Sequence, residues 1–174
     1  RGGLGISSPA PLYVLAIGVS AYPGRWKLQF AHADAAQVSS VFERNGKAVF
    51  EKVEIRSVAD DKATKAGILE GLQWLSGGLQ ARENKNPEDV AVIFYSGHGW
   101  ADDSGQFFLL PVDGPPRTSG KITKETAQAT CVSADTIKGY CDKALPCRLA
   151  IFLDACRSGA ADLTDLTKVS TARE

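Results

Sequence analysis

Strand-length apolar runs take turns with stretches of helical periodicity along the chain. Residues 13–19 are almost continuously apolar and end the run at strand length. Residues 33–45 place Ala35, Val38, Val41 and Phe42 at helical spacing, and Gly46 follows as a stop. Residues 53–58 alternate and predict a second strand, and 64–79 repeat Ile68, Leu72, Leu75 and Leu79 on one helical face. A third strand is predicted over 90–95, and a short accessory strand over 107–110, just before Pro111. Residues 133–143 predict a short helix with Ser133 as its N-cap, and 149–153 a fourth strand. Alternation of this kind implies an α/β fold: a mainly parallel sheet flanked by helices on both faces.

Composition narrows the class without deciding it. At 174 residues the chain fits one domain with a substantial core. Basic and acidic residues balance at 20 each, so nothing points to nucleic acid or an anionic membrane surface. No apolar run approaches the roughly 18 residues of a membrane span. The opening carries no signal-peptide pattern, which makes the cytoplasm the expected compartment. A secreted or periplasmic site stays open, because residue 1 is an arginine and the chain has no methionine. The expectation is a piece of a longer protein, with a linker over 1–11, one domain over 12–160, and a tail or inter-subunit linker over 161–174. The four cysteines lack zinc-ribbon spacing, and a chain of this size does not require a disulfide.

Two polar segments follow the third and fourth predicted strands. They are Tyr95-Ser96-Gly97-His98-Gly99 and Asp154-Ala155-Cys156-Arg157-Ser158-Gly159. One strand thus delivers a histidine, and the other a cysteine, to the sheet edge where open α/β sheets bind ligands. A cysteine beside a histidine is the minimum equipment for thiolate catalysis. A free thiol is only a few per cent thiolate at neutral pH, and an imidazole can take its proton. The second histidine, His32, opens the first helix pattern and reads as structural or exposed.

The spacing of 58 positions between His98 and Cys156 is close to the separation of about 50 in caspase-type enzymes. With Ile17-Gly18-Val19, Asp34, Leu110-Pro111-Val112-Asp113 and the two polar segments, the chain resembles the large catalytic subunit of caspase-like cysteine peptidases. The resemblance is to the metacaspase and bacterial orthocaspase side of that clan. The resemblance implies a three-layer caspase-like sandwich and a His98–Cys156 dyad with no third residue. It also implies an oxyanion hole from the N–H groups of Gly99 and Cys156. For substrate binding it implies a pocket for a basic P1 side chain, formed by Asp34, Ser96 and Asp154. Two carboxylates suit that role, since a desolvated Arg or Lys must be paired. The competing structural roles are helix capping for Asp34 and acceptance of turn N–H bonds for Asp154.

Two departures from the family pattern matter. Many metacaspases bind calcium through an acidic cluster that includes an Asp-Asp pair before the helix preceding the Cys strand. Here only Asp135 remains of it, and calcium takes six to eight oxygens, so no calcium or other cofactor is expected. Asp102-Asp103 reads as a solvated turn. The chain also stops 18 residues after Cys156, short of the small subunit that a caspase fold implies as partner. Lys168 and Arg173 suit an autoprocessing linker, and fused sensor or repeat domains are expected in the parent protein. Two other functions remain open: a caspase-fold signalling scaffold, and another Cys–His amidase or acyltransferase.

Overall fold

The structure is a computed structural model that describes residues 10–81, 86–115 and 122–158, the last three through their backbone. Six strands and four α-helices lie among the described residues. In chain order they are β1 (Leu12–Gly18), α1 (Ala31–Gly46), β2 (Val53–Ala59), α2 (Lys65–Gln80), β3 (Val90–Ala101) and β4 (Phe107–Leu109). Then follow α3 (Lys124–Thr130), β5 (Val132–Ser133), α4 (Ala134–Ala144) and β6 (Arg148–Ser158). The sheet runs β2-β1-β3-β4-β5, with β6 on the other side of β3. The pairs β1–β2, β1–β3 and β3–β6 are parallel, whereas β3–β4 and β4–β5 are antiparallel.

Every side chain of β1 is buried, and its alternation feeds two cores. Leu15 and Ile17 join Ile68, Leu72, Leu75 and Leu79 of α2 and Ile137 of α4 in the larger one. Leu12 and Val14 join Val92 in the smaller one, where Phe42 of α1 packs. The period of two along the strand and the helical periods of α1 and α2 are therefore complementary halves of one three-layer arrangement. Three helices begin with hydroxyl caps. Thr64, Thr123 and Ser133 accept from the N–H groups of Gly67, Thr126 and Thr136 at 3.0, 3.3 and 3.1 Å.

Four elements depart from the sequence reading, among them β6, which runs on past residue 153 through the Cys156 segment to Ser158. The third strand runs on through Ser-Gly-His-Gly to Ala101. It does so because β1 ends opposite Ser96, and β4 takes over that edge from Gly99 onward. Helix α3 and strand β5 were not foreseen, since α3 buries only Ala127 and β5 is two residues long. Residues 1–9 and 159–174, read as linker and tail, lie outside the described residues.

Leu72 is 1% exposed at the α2–sheet contact. Leu72→Ala is expected to cost about 2–5 kcal/mol, read from the urea midpoint at an unchanged m-value.

Candidate active site

The ladder between β3 and β6 brings the two polar segments together through the backbone. Ser96 is the Cα partner of Asp154, and His98 is the Cα partner of Cys156. Neighbouring strands lie about 4.7–4.9 Å apart, so residues 58 positions apart in sequence become adjacent.

The His98 imidazole rests in a cradle made by residues 19–30, between β1 and α1. Its Nε2 lies 2.8 Å from the carbonyl oxygen of Trp26. A carbonyl only accepts, so Nε2 carries the proton and, in the neutral ring, Nδ1 carries the lone pair. The Tyr22 ring packs at 4.6 Å and 54°, and the Trp26 indole meets the imidazole edge-on at 5.7 Å and 86°. Trp26 closes a single 3-10 turn that opens at Gly24, whose φ of +60° suits glycine. The cradle is tied to the sheet at its root. Val19 N–H donates to Ser96 O at 2.9 Å, and Asp60 Oδ1 accepts from Ser20 and Ala21 N–H at 2.8 and 3.0 Å. His32 is exposed at the start of α1, and its main-chain N–H donates to Ser20 Oγ at 2.9 Å.

The carboxylates fall differently from one another. Ser96 is 3% exposed, and its hydroxyl donates to Oδ2 of the exposed Asp154 at 3.0 Å. Asp154 sits within β6, and the hydroxyl rather than a set of turn amides is its donor. Among the described residues no cationic side chain pairs with it. Asp34 lies in the first turn of α1, where the helix dipole favours an acid. It is not the cap, since its own N–H donates to Phe30 O at 2.8 Å and Phe30 holds the N-cap position. Its carboxylate takes no hydrogen bond or ion pair among the described residues, including from Ser96 and Asp154.

Gly99 has a packing reason to be glycine. A Cβ there would meet Phe107 ring carbons at 2.6 Å. Leu110 N–H donates to His98 O at 3.0 Å, so the polar groups of His98 face the β4 side. Alternation then turns the Gly99 N–H towards β6, the strand that carries Cys156.

Asp102 and Asp103 do not form a uniformly solvated turn. Asp102 is largely buried, its Oδ1 accepting from Ser104 N–H and Gln106 N–H at 2.9 Å each, while its Oδ2 pairs with Lys124 at 3.0 Å. The Ser104 hydroxyl and the Lys124 ammonium hold its carboxyl well below the usual range. Asp135 accepts from Gln106 Nε2 at 2.8 Å. Among the described residues, no three His, Cys, Asp or Glu side chains converge as a metal site. Among the described residues Cys131, Cys141 and Cys147 form no disulfide. Burial pushes Cys141 up to about 12 and Cys147 to about 11, so neither supplies a thiolate near neutrality.

The caspase domain, Peptidase C14, matches residues 12–173. The chain belongs to the caspase-domain family. That family is one of cysteine peptidases, and the paired strands bearing His98 and Cys156 lie within this caspase domain. No curated protein matches the chain. The crystal structure of protein GSU0716 from Geobacter sulfurreducens has a similar fold. Its TM-score is 0.60 at 20% identity, over 87% of this chain and 52% of that one. The chain thus spans about half the length of that structure. Among the described residues no helix is long and apolar enough to cross a membrane.

Two groups escaped the sequence reading of the caspase domain. The Trp26 carbonyl supplies a third group at the histidine, where only a pair was expected. A main-chain oxygen has no residue-type signature. Tyr22 lies in a segment with no helical or strand period, and only the fold shows that its ring reaches His98.

The buried thiols predict a pH response. Their protons are held more tightly in the folded protein than in the unfolded chain, whose thiols titrate near about 8.5. The stability they contribute is intact below that pH and is lost as pH rises towards about 11 and 12. Tyr95 acts in the same direction above its ordinary range, because burial and the neighbouring Tyr22 hold it protonated. The urea midpoint is expected to fall between pH 8 and pH 10.5 (on the order of the unfolded thiol range), and to fall less in Cys141→Ala.

Proposed function

We propose that the protein is a cysteine endopeptidase that cleaves after Arg or Lys, with Cys156 as nucleophile and His98 as its base. The observation that carries this is the register pairing of His98 with Cys156 in a caspase domain. With Nε2 engaged by Trp26, Nδ1 is the nitrogen that takes the thiol proton. The thiolate sulfur then bonds to the scissile carbonyl carbon, and the oxyanion draws on the Gly99 and Cys156 N–H groups. One such donor is typically worth about 2.7–4 kcal/mol in the transition state. Collapse breaks the C–N bond, His98 returns the proton to the leaving amine, and water releases the acyl group from sulfur.

The preference for a basic P1 residue is supported by two acidic side chains without cationic partners among the described residues. Ser96 fixes the Asp154 carboxylate two rungs before His98–Cys156, and Asp34 offers the second negative charge. An Arg guanidinium entering there gains charge-assisted hydrogen bonds in place of water. No calcium takes part in this scheme.

The outer edge of β6 supports a small C-terminal subunit as partner. Among the described residues that edge pairs with no strand, and Phe152 on it is 54% exposed. A further strand there would satisfy the backbone groups and cover the ring. Self-cleavage at Lys168 or Arg173 would release such a subunit.

The test is hydrolysis by the full-length protein of matched fluorogenic peptides carrying Arg, Lys or Asp at P1, with and without chelator. Cleavage after Arg and Lys is expected, insensitive to chelator and abolished in Cys156→Ala, which also stays uncut at its own linker. Asp154→Asn is expected to lower kcat/KM for Arg peptides by about 10²-fold, the scale of a lost charged contact. Cleavage after Asp alone would overturn the pocket. A folded protein that cleaves no peptide would sink the peptidase proposal.

A further inference from the structure

The glycine before His98 is enclosed by two phenols. A Cβ at Gly97 would lie 2.6 Å from the Tyr95 hydroxyl oxygen and 2.9 Å from that of Tyr22. Both hydroxyls serve the next residue. The His98 N–H donates to Tyr22 Oη at 3.0 Å, and Tyr22 donates its own proton to Leu110 O at 2.7 Å. Tyr95 Oη lies 2.7 Å from His98 O and 3.0 Å from Leu110 O. A phenol has one proton to give. Tyr22 spends its proton on Leu110, and Tyr95 takes the shorter contact, to His98 O. The two oxygens are 3.3 Å apart.

The peptide groups on both sides of His98 are therefore held by side-chain hydroxyls, and the direction of its Cα–Cβ bond is fixed by them. Tyr22 acts a second time, because its ring packs against the imidazole. Tyr22 is itself fixed. It is 5% exposed, and its chain neighbour Ala21 is bound at the N–H by Asp60. Asp60 holds this place with a φ of +45°, in the left-handed region.

We infer that Tyr22 is the positioning residue of His98: its hydroxyl clamps the backbone at the base and its ring sets the imidazole plane. Gly97 is glycine because the clamp occupies the space of a side chain. The inference rests on the peptidase proposal for its kinetic consequence, but the clamp has a readout of its own. A misplacement of about 1 Å at a reacting group costs up to about 10²-fold in rate. The Tyr22 hydroxyl meets His98, Leu110 and Tyr95, groups that place the imidazole, so the loss is expected in kcat rather than in KM.

The experiment compares Tyr22→Phe, Gly97→Ala and the double variant in the full-length protein, with Leu79→Ala as a destabilised control remote from His98. Tyr22→Phe is expected to lower kcat about tenfold or more at a KM unchanged within about twofold. Gly97→Ala is expected to do the same by displacing the phenols, and the double variant to be no worse than the poorer single one. Leu79→Ala is expected to lower Tm and leave kcat in place. A folded Tyr22→Phe with wild-type kcat, or additive losses in the double variant, would overturn the inference. NMR of the wild-type protein decides the clamp without any variant. A slowly exchanging His98 amide and a ring-to-ring NOE between Tyr22 and His98 are expected. A freely exchanging His98 amide overturns the clamp even if every variant fails to fold. If the wild type cleaves no peptide, the peptidase proposal fails, and the same spectrum still judges the clamp.

Discussion

The parallel ladder between β3 and β6 governs everything that happens at the sheet edge. It runs from Val90 opposite Arg148 to Trp100 opposite Ser158, and two of its rungs hold Ser96 with Asp154 and His98 with Cys156. A slip of one residue in such a pairing reverses which face each side chain occupies. What forbids the slip is apolar. Ala91, Ile93 and Tyr95 belong to the larger core, where Leu149, Ile151, Leu153 and Ala155 pack against them. Val92 and Ala150 belong to the smaller core on the other face. The alignment of the polar residues is thus a by-product of two greasy layers that take no part in chemistry.

The segment between β1 and α1 works by the opposite means. It has no regular structure beyond one 3-10 turn, and its order comes from polar bonds to Asp60, Ser96, His98 and Leu110. Rigid strands set the distance between the two polar segments, and this segment sets the angle of the imidazole. The long β3 strand links the two. Once past the end of β1, its free edge is open to Tyr22 and then to β4.

Elements with a sustained period were legible in the sequence. The period of α2 and the unbroken apolar run of β1 foretold the layers they build, and the Ser133 cap lies where its hydroxyl was read. The continuation of β3 was not legible, because two glycines in five residues read as a loop and only pairing on both sides makes them a strand. Short elements such as β5 carry too few residues to show a period. At the site, the meeting of His98 and Cys156 at one sheet edge was readable from motif spacing, whereas the hydrogen bond from Ser96 to Asp154 was not. Asp34 makes no hydrogen bond or ion pair to Ser96 or Asp154 among the described residues. Tyr22 and the Trp26 carbonyl were invisible, since their contacts span 76 and 72 positions and one of them is made by main chain.

That main-chain contact has a bearing on how the protein can change over generations. A side-chain partner for the imidazole can be erased by one base change in a codon. A carbonyl cannot, because every amino acid carries one. Substitution at position 26 leaves the oxygen where the turn puts it, and only a change that bends the turn removes it. Sequence drift at this position is therefore tolerated as far as the indole allows. The contact is lost by displacement of the backbone and regained when the backbone returns.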